Sequence, residues 1–255
     1  MSGHHQLLRA SVAFEFPNRK NALRRIGLVE GLCVAVIAIQ LAILAVAAVQ
    51  QSIPIERLFR DTIAVAEEYP GCCHVYDGMI SNIGILIWWA TAVLCGFATI
   101  VLFTLSQCRK LVLPLAAASM LSAVLALDDL FMLHESVLPY AGLPQYLTFL
   151  IYGALVTIYV ALGWRAIFAE APGLLLLAVA MLAASASVDV LADNRLGFIS
   201  TWLHDNPRTE LLLDDGFKFL GLGFWFCLHF MAATKALSSK LQPISAARLG
   251  AGDRA

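Results

Sequence analysis

Residues Leu111–Leu133 read LVLPLAAASMLSAVLALDDLFML, an apolar stretch that closes on two adjacent carboxylates, Asp128 and Asp129. Its length matches the ~20 residues that a helix needs to cross ~30 Å of hydrocarbon. A charged side chain in that hydrocarbon costs ~3 kcal/mol or more, so it is rarely there without a partner or a task. The stretch therefore predicts a membrane-spanning helix that carries part of a polar site.

The composition of the whole chain is that of a membrane protein. Of its 255 residues, 60% are hydrophobic and 14% are charged, whereas a soluble domain is about half apolar and a quarter charged. Five more stretches are long enough to span a bilayer, and they are Ile26–Val49, Ile80–Leu105, Tyr146–Trp164, Leu174–Leu191 and Leu211–Ala233. We predict an all-α, polytopic bundle of six transmembrane helices with the lipid bilayer as its partner. Most of these runs lack a polar face, which disfavours an amphipathic soluble bundle.

Basic residues are sorted to one side of this bundle. They lie before the first span, in the loops on the same side, and in the C-terminal tail. These residues are Arg9, Arg19, Lys20, Arg24, Arg25, Arg109, Lys110, Arg165, Lys235, Lys240, Arg248 and Arg254. The positive-inside rule places both termini in the cytoplasm, in a bacterial inner membrane. We predict a basic tail at 1–25, the membrane domain at 26–236 and a disordered cytoplasmic tail at 237–255. The basic residues are thereby explained, and no nucleic-acid partner is expected.

The loops on the opposite side contain further predicted features. Ile55–Glu68 is predicted as a surface helix that ends at Pro70-Gly71, and Pro207 is predicted near the start of the last helix. Six cysteines predict no disulfide framework, and Cys72-Cys73-His74 is a weak metal-binding signal.

Polar residues converge in the outer third of the predicted bilayer. Asp128 lies ~26 Å along its span and Asp189 ~24 Å along an outward-running span, whereas Asp214 lies ~8 Å into an inward-running one. The predicted catalytic residues are Asp128, Asp129, His134, Glu135, Asp189, Asp214, Asp215 and Lys218. Ser81, Asn82, Ser185 and Trp225 are predicted to support them, and Asp128, His134 and Asp214 to bind a divalent metal.

Structural interpretations of these residues stay open. Asp214 or Asp215 with Lys218 forms a plausible ion pair that fixes helix packing, and Asp128 and Asp129 suit a solvated helix end. Five or six carboxylates against one lysine is a poor structural balance, however. Like charges so close together must share protons, hold a cation or sit in water.

Two resemblances bear on function. Leu127–Leu133, which reads LDDLFML, and Tyr76–Leu86, which contains Ser81-Asn82, resemble segments of alkaline ceramidases and related CREST membrane hydrolases. That resemblance implies a helical bundle with a zinc ion held by histidines and helped by Asp128 and a serine, although the family's His-x-x-x-His is missing from the last span. Asp214-x-x-x-Lys218 is similar to the retinal-lysine helix of microbial rhodopsins, which have seven spans rather than six.

Three functional hypotheses follow. The first is a proton- or cation-coupled transporter or channel, against which an apolar plug beneath the acids, with no polar path toward Glu30, would count. The second is a metal-assisted hydrolase of a lipid amide or ester, which predicts a stoichiometric metal. The third is a sensory or assembly protein whose acidic cluster is structural, so that Asp128→Asn and Asp214→Asn impair stability more than flux or turnover.

Overall fold

Six helices of the protein are long and apolar enough to cross a membrane, which confirms the predicted six-span, all-α class. The computed structural model describes residues 19–71, 73–105, 109–167, 171–194, 201–203 and 205–252. Within these ranges the regular structure is helical, without strands.

The helix boundaries follow the predicted spans closely. In chain order the helices are α1 (Arg19–Val49), α2 (Ile55–Phe59), α3 (Thr62–Glu68), α4 (Met79–Thr104), α5 (Arg109–Phe131), α6 (Leu138–Tyr140), α7 (Gln145–Ile167), α8 (Pro172–Asn194) and α9 (Pro207–Gly252), with a π-helical turn at Leu133–Val137. The last helix begins at the predicted Pro207. The helix is described as far as Gly252, and the predicted disorder of residues 237–255 stays a prediction.

The last helix, α9, forms the centre of the bundle. It packs against α8, α4 and α1, and α5 packs between α4 and α7. In the most apolar window of α9, 61% of the residues are buried inside the protein, against 17% for α1, α7 and α8. The peripheral helices therefore expose their apolar surface to lipid, and α9 is the element on which the others are arranged.

Two glycines let neighbouring helices approach α9. A Cβ at Gly221 would lie 2.9 Å from Leu182 Cγ and 3.2 Å from the Leu182 backbone nitrogen on α8. A Cβ at Gly223 would lie 1.8 Å from Oε1 of Gln40 on α1, whose Nε2 donates to the Phe219 carbonyl at 2.8 Å. Small residues at helix contacts are the usual means of close packing in membranes, where the hydrophobic effect does not drive helix association.

The segment between α1 and α4 folds into a cap over one end of the bundle. We define this cap as residues 50–71 and 73–78, which include α2 and α3. The predicted surface helix Ile55–Glu68 is found as two short helices because the backbone is extended at Arg60 and Asp61. The apolar residues of α2 are buried against α1, α4 and α9 in a cluster of Ala47, Ile55, Leu58, Phe59, Ile80 and Phe219.

A buried ion pair holds the cap in shape. The Arg57 guanidinium donates to both carboxylate oxygens of Asp77 at 2.8 and 2.7 Å, and it lies 5.4 and 5.3 Å from the ring centres of Tyr69 and Tyr76. The arginine keeps the pKa of the Asp77 carboxyl below its usual range. The pair is therefore fully formed above the usual aspartate pKa of ~3.9, and its contribution to stability is lost only in stronger acid.

The cysteines need one correction. Cys33, Cys95 and Cys227 are buried free thiols, as expected for small apolar residues in spans. Cys73 is disulfide-bonded, although the sequence predicted no disulfide framework. Its sulfur is thus occupied, which weakens the predicted metal signal at Cys72-Cys73-His74; Cys72 itself lies outside the described residues.

We predict that Gly221→Leu separates α8 from α9. The added side chain meets the α8 backbone, so the free energy of unfolding is expected to fall by about 3 kcal/mol. Gly153→Leu is the matched control, because Gly153 lies on an exposed face of α7 with nothing within 4 Å of its Cβ position. Thermal unfolding in detergent, followed by circular dichroism, measures the difference, and equal melting temperatures for the two variants would contradict the assigned helix contact.

Candidate functional site

Three spans meet at the carboxylate of Asp129. Lys218 Nζ of α9 lies 2.8 Å from Asp129 Oδ1, and Trp88 Nε1 of α4 donates to Oδ2 at 3.1 Å. The Asp129 side chain is 8% exposed and that of Lys218 is 29% exposed. An ion pair shielded in this way interacts more strongly than it would in water. The sequence suggested that Lys218 pairs with Asp214 or Asp215 and fixes helix packing. In the structure Lys218 pairs with Asp129 of α5.

The neighbouring carboxylate, Asp128, binds His134 through a change of helix geometry. After α5 ends at Phe131, Met132 adopts a left-handed conformation with φ of 50°, and the π-helical turn carries the chain back over the helix end. The His134 backbone N–H donates to Asp128 Oδ1 at 3.0 Å, and His134 Nδ1 lies 2.6 Å from Oδ2. The carboxylate therefore fixes both the turn and the orientation of the imidazole.

A group of potential metal ligands results from these two pairs. One ligand atom each from Asp128, Asp129 and His134 lies within 4.8 Å of the others, and all three residues are buried. Asp129 thus takes the place that the sequence prediction gave to Asp214. The residues have the right chemistry for a divalent cation. Their donor atoms, however, already contact Lys218, Trp88 and one another, so an ion has to displace the Lys218 ammonium or the Asp128–His134 bond.

The other predicted acids form separate pairs between helices. Ser185 Oγ of α8 donates to Asp214 Oδ1 of α9 at 2.6 Å, and Gln145 Nε2 of α7 donates to Asp189 Oδ2 of α8 at 2.8 Å. These pairs lie toward the same end of the bundle as Asp128 and Asp129. Ser185 was predicted as a supporting residue, whereas Gln145 was not recognised, because an amide at the start of a span is also an ordinary helix-end residue.

The cap adds a carboxylate that the sequence prediction missed. Asp61, between α2 and α3, accepts a hydrogen bond from Ser81 Oγ in the first turn of α4. Burial raises the pKa of the Asp61 carboxyl above its usual range, and nearby Asp129 acts in the same direction, while the Ser81 hydrogen bond, Lys218 and His134 oppose the shift. The only hint in the sequence was the apolar spacing of Ile55, Leu58 and Phe59, which predicts that the loop packs down on the bundle.

A cleft between α4 and α9 is lined by four polar residues, Ser81, Asp129, Asp215 and Lys218. It is small, with a cavity volume of about 20 Å³, and its lining consists of Ile80, Ser81, Gly84, Asp129, Asp215, Lys218, Phe219 and Leu222. The cleft brings together a hydroxyl, two carboxylates and an ammonium beside an apolar wall. Asp215, a predicted site residue, belongs to this lining.

Two further predicted site residues, Asn82 and Glu135, contribute no described side chain to the cleft. Asn82 follows Ser81 by ~100° around the helix and is exposed, so it is not part of the site. Glu135 belongs to the π-helical turn, but its side chain lies outside the described residues.

Beneath the cleft, buried hydrogen-bonded side chains precede an apolar core. Trp225 Nε1 donates to Ser122 Oγ at 2.9 Å, and His229, one turn deeper, contacts the Trp225 carbonyl and Tyr159 OH at 2.7 Å each. Farther along, the core consists of Cys95, Ala98, Leu102, Leu115, Ala118, Ala233 and Ala236. Glu30 is exposed on α1, and within the described ranges no buried charged side chain links it to the cleft.

We predict that Lys218→Met destabilises the bundle by about 3 kcal/mol, because it leaves the Asp129 carboxylate buried without its cation. The double variant Lys218→Met/Asp129→Leu should regain much of this loss, since it replaces the pair by apolar groups. Chemical unfolding in detergent tests both, with Lys235→Met as the control at an exposed position of the same helix. Unaltered stability of Lys218→Met would show that the pair is not a structural brace.

The family model described as Domain of unknown function (DUF8692) matches residues 32–232. The match begins inside α1 and ends inside α9, so it includes the cap, the cleft and every residue of the Asp128, Asp129 and Lys218 contacts. No curated protein and no solved structure matches the chain. Because the matched region is well over half of the sequence, the protein belongs to the DUF8692 family.

Proposed function

We propose that this protein is a membrane-embedded hydrolase of an ester or amide, with Ser81 as its nucleophile. The observation that carries the proposal is the hydrogen bond from Ser81 Oγ to Asp61 within reach of the cleft that Lys218 also lines. A nucleophile, a base beside it and a cation in one concave site are the parts that acyl transfer requires.

Asp61 supports the role of general base. A serine hydroxyl is a weak nucleophile until a neighbouring group accepts its proton. Burial raises the pKa of Asp61, which brings its proton affinity closer to that needed at neutral pH. The direction of the hydrogen bond, from Ser81 to Asp61, matches the direction of the proton transfer.

Lys218 supports the role of electrostatic stabiliser. Its ammonium is held by Asp129 at 2.8 Å and remains partly exposed toward the cleft. A fixed positive charge beside a developing oxyanion lowers the barrier because the site needs little reorganisation during the reaction.

The proposed reaction forms an acyl-serine and then hydrolyses it. Ser81 Oγ bonds to the substrate carbonyl carbon while its proton passes to Asp61. The carbonyl oxygen becomes an oxyanion near Lys218, and the carbon–oxygen or carbon–nitrogen bond then breaks as Asp61 returns the proton to the leaving alcohol or amine. Water hydrolyses the acyl-serine, with Asp61 accepting its proton and passing it to Ser81 Oγ.

Metal-assisted hydrolysis is a second candidate, favoured by the convergence of Asp128, Asp129 and His134. A divalent ion there would supply Lewis-acid assistance and a nucleophilic water at neutral pH. The position of Lys218 against Asp129 favours the serine mechanism, because the lysine already provides the positive charge that balances this carboxylate.

The transport hypothesis and the structural hypothesis stay predictions. Transport needs access from both sides in turn, and the apolar packing beneath His229 gives it little support. A purely structural cluster accounts for the ion pair at Asp129, but it does not account for the cleft beside Ser81.

We further propose that the cap and the cleft face the outside of a bacterial inner membrane, with both termini in the cytoplasm. The sorting of basic residues supports this orientation. The disulfide at Cys73, in the cap, supports it independently, since disulfides persist in oxidising compartments. The cleft would then open at the level of the outer lipid headgroups.

We predict that an alkyl fluorophosphonate labels the purified protein at Ser81. The probe reacts with activated serines, so Ser81→Ala should abolish labelling in nanodiscs, as measured by intact-protein mass spectrometry. Ser187→Ala is the matched control, because this exposed serine of α8 only bonds to its own helix through Ala183. Persistent labelling of Ser81→Ala, or none of the wild type, would contradict the proposal.

We predict that Asp61→Asn slows this labelling at least 100-fold, within the range expected for loss of a general base. The wild-type rate should rise with pH through a midpoint above the usual aspartate pKa of ~3.9, because only ionised Asp61 accepts the proton. The variant should lose that rise. Glu67→Gln, at an exposed site of α3, serves as control, and an unaltered pH profile in Asp61→Asn would remove Asp61 from the mechanism.

We predict that chelation of divalent metals leaves Ser81 labelling unchanged, because Lys218 supplies the positive charge of the site. Elemental analysis of the pure protein accompanies the labelling assay. A stoichiometric metal whose removal stops labelling, and whose content falls in His134→Ala, would favour the metal-assisted candidate instead.

A further inference from the structure

The cleft between α4 and α9 matches the size of one water molecule. Its cavity volume is about 20 Å³, and a bound water needs about 10–15 Å³ together with two to four polar partners. The helices close tightly on its apolar side, because a Cβ at Gly84 of α4 would lie 3.2 Å from Leu222 Cδ1 of α9. Ser81 is half-buried, so the organic part of a substrate approaches it from outside the cleft, and the cleft itself suits water.

The polar lining of the cleft offers the partners that a water requires. Ser81, Asp129, Asp215 and Lys218 contribute a hydroxyl, two carboxylates and an ammonium. A water donates two hydrogen bonds and accepts two, so it can accept from Lys218 and donate to a carboxylate. An ammonium has three donors and a carboxylate accepts about four hydrogen bonds. The contacts that these groups make within the protein are therefore compatible with a bound water.

The two carboxylates of the cleft have different surroundings. Asp129 is 8% exposed, and its two oxygens contact Lys218 Nζ at 2.8 Å and Trp88 Nε1 at 3.1 Å. That carboxylate therefore serves to hold the lysine in place. Asp215 is half-buried on α9 and lines the same space as Ser81 and Lys218. The proposed attack of Ser81 on the substrate does not use Asp215, so this carboxylate is suited to the later step, in which water reacts.

We infer that the cleft binds the water that hydrolyses the acyl-serine and that Asp215 is the residue that positions this water. The inference rests on the proposed function and concerns the second reactant of the same site. A reactant held in the correct orientation reacts faster because the entropy of bringing it there has already been lost on binding.

The positions of the groups assign each part of the water a role. Asp215 accepts a hydrogen bond from one O–H, and Lys218 donates to one lone pair. The other lone pair forms the bond to the acyl carbon on Ser81 Oγ, while the second proton passes to Asp61, which contacts Ser81. The bond between Ser81 Oγ and the acyl carbon then breaks, Asp61 returns the proton to Oγ, and the carboxylic acid leaves.

The test measures formation and hydrolysis of the acyl-serine separately in nanodiscs. Fluorophosphonate labelling reports the attack of Ser81, and p-nitrophenyl acetate followed by intact-protein mass spectrometry reports the lifetime of acetylated Ser81. Asp215→Ala should be labelled within about twofold of the wild-type rate, but its acetylated form should be hydrolysed on the order of 10- to 100-fold more slowly and accumulate.

Asp214→Ala is the matched control. Asp214 is the neighbouring carboxylate on α9, but adjacent helical residues point about 100° apart, and its Oδ1 accepts from Ser185 of α8 at 2.6 Å rather than lining the cleft. This variant should leave the ratio of the two rates unchanged. Because the ratio is internal to each protein sample, partial unfolding of a variant does not imitate the effect.

The two proposals fail in different ways. Equal slowing of both steps in Asp215→Ala, unchanged hydrolysis in that variant, or stable acetylation of the wild type would overturn the water site, while labelling at Ser81 still supports the proposed function. Failure of both the fluorophosphonate and the ester to modify Ser81 would overturn both proposals.

Discussion

The contact between Lys218 and Asp129 sets the geometry of the whole polar end. A carboxylate on α5 cannot remain ionised within apolar surroundings without a partner, and the lysine supplies it across 2.8 Å. This requirement fixes both the depth and the rotation of α9 relative to α5. Gly221 and Gly223 lie within two turns of Lys218 on the same helix, and they let α8 and α1 close on α9 in the orientation that the ion pair selects. The charge pair and the close helix contacts at the two glycines thus act together with the apolar packing of α9 against α8 and α4.

The cap depends on the same end of the bundle. Its α2 buries Ile55, Leu58 and Phe59 against Ile80 of α4 and Phe219 of α9. The Arg57–Asp77 pair then gives the cap a defined shape, so Asp61 reaches Ser81 from outside the bundle. The contact between Asp61 of the cap and Ser81 of α4 therefore depends on two kinds of packing. One is the burial of α2 against the bundle, and the other is the Arg57–Asp77 pair within the cap.

The sequence predicted the features that depend only on local sequence. Apolar run lengths gave the six spans, and Pro207 gave the start of the last helix. The pairing of Lys218 with Asp129 was not predicted, because the rotation of one helix about its axis relative to another depends on packing across residues far apart in the chain. Asp61 was missed because an acid in a polar loop is ordinarily solvated. Asn82 is exposed on α4 and does not line the cleft, because adjacent helical residues point about 100° apart and Ser81 faces the cleft instead.

The fixed character of these contacts bears on the choice between catalysis and transport. Asp129 is bound by groups from two other spans, and Asp128 is bound twice by His134. A transporter must break such contacts in every cycle, at a cost that a coupled ion or substrate has to repay. A hydrolase gains from leaving them intact, since charges held in advance of the reaction stabilise its transition state without reorganisation. The paired charges can therefore stay intact in the proposed hydrolase, whereas a transporter would have to separate them in each cycle.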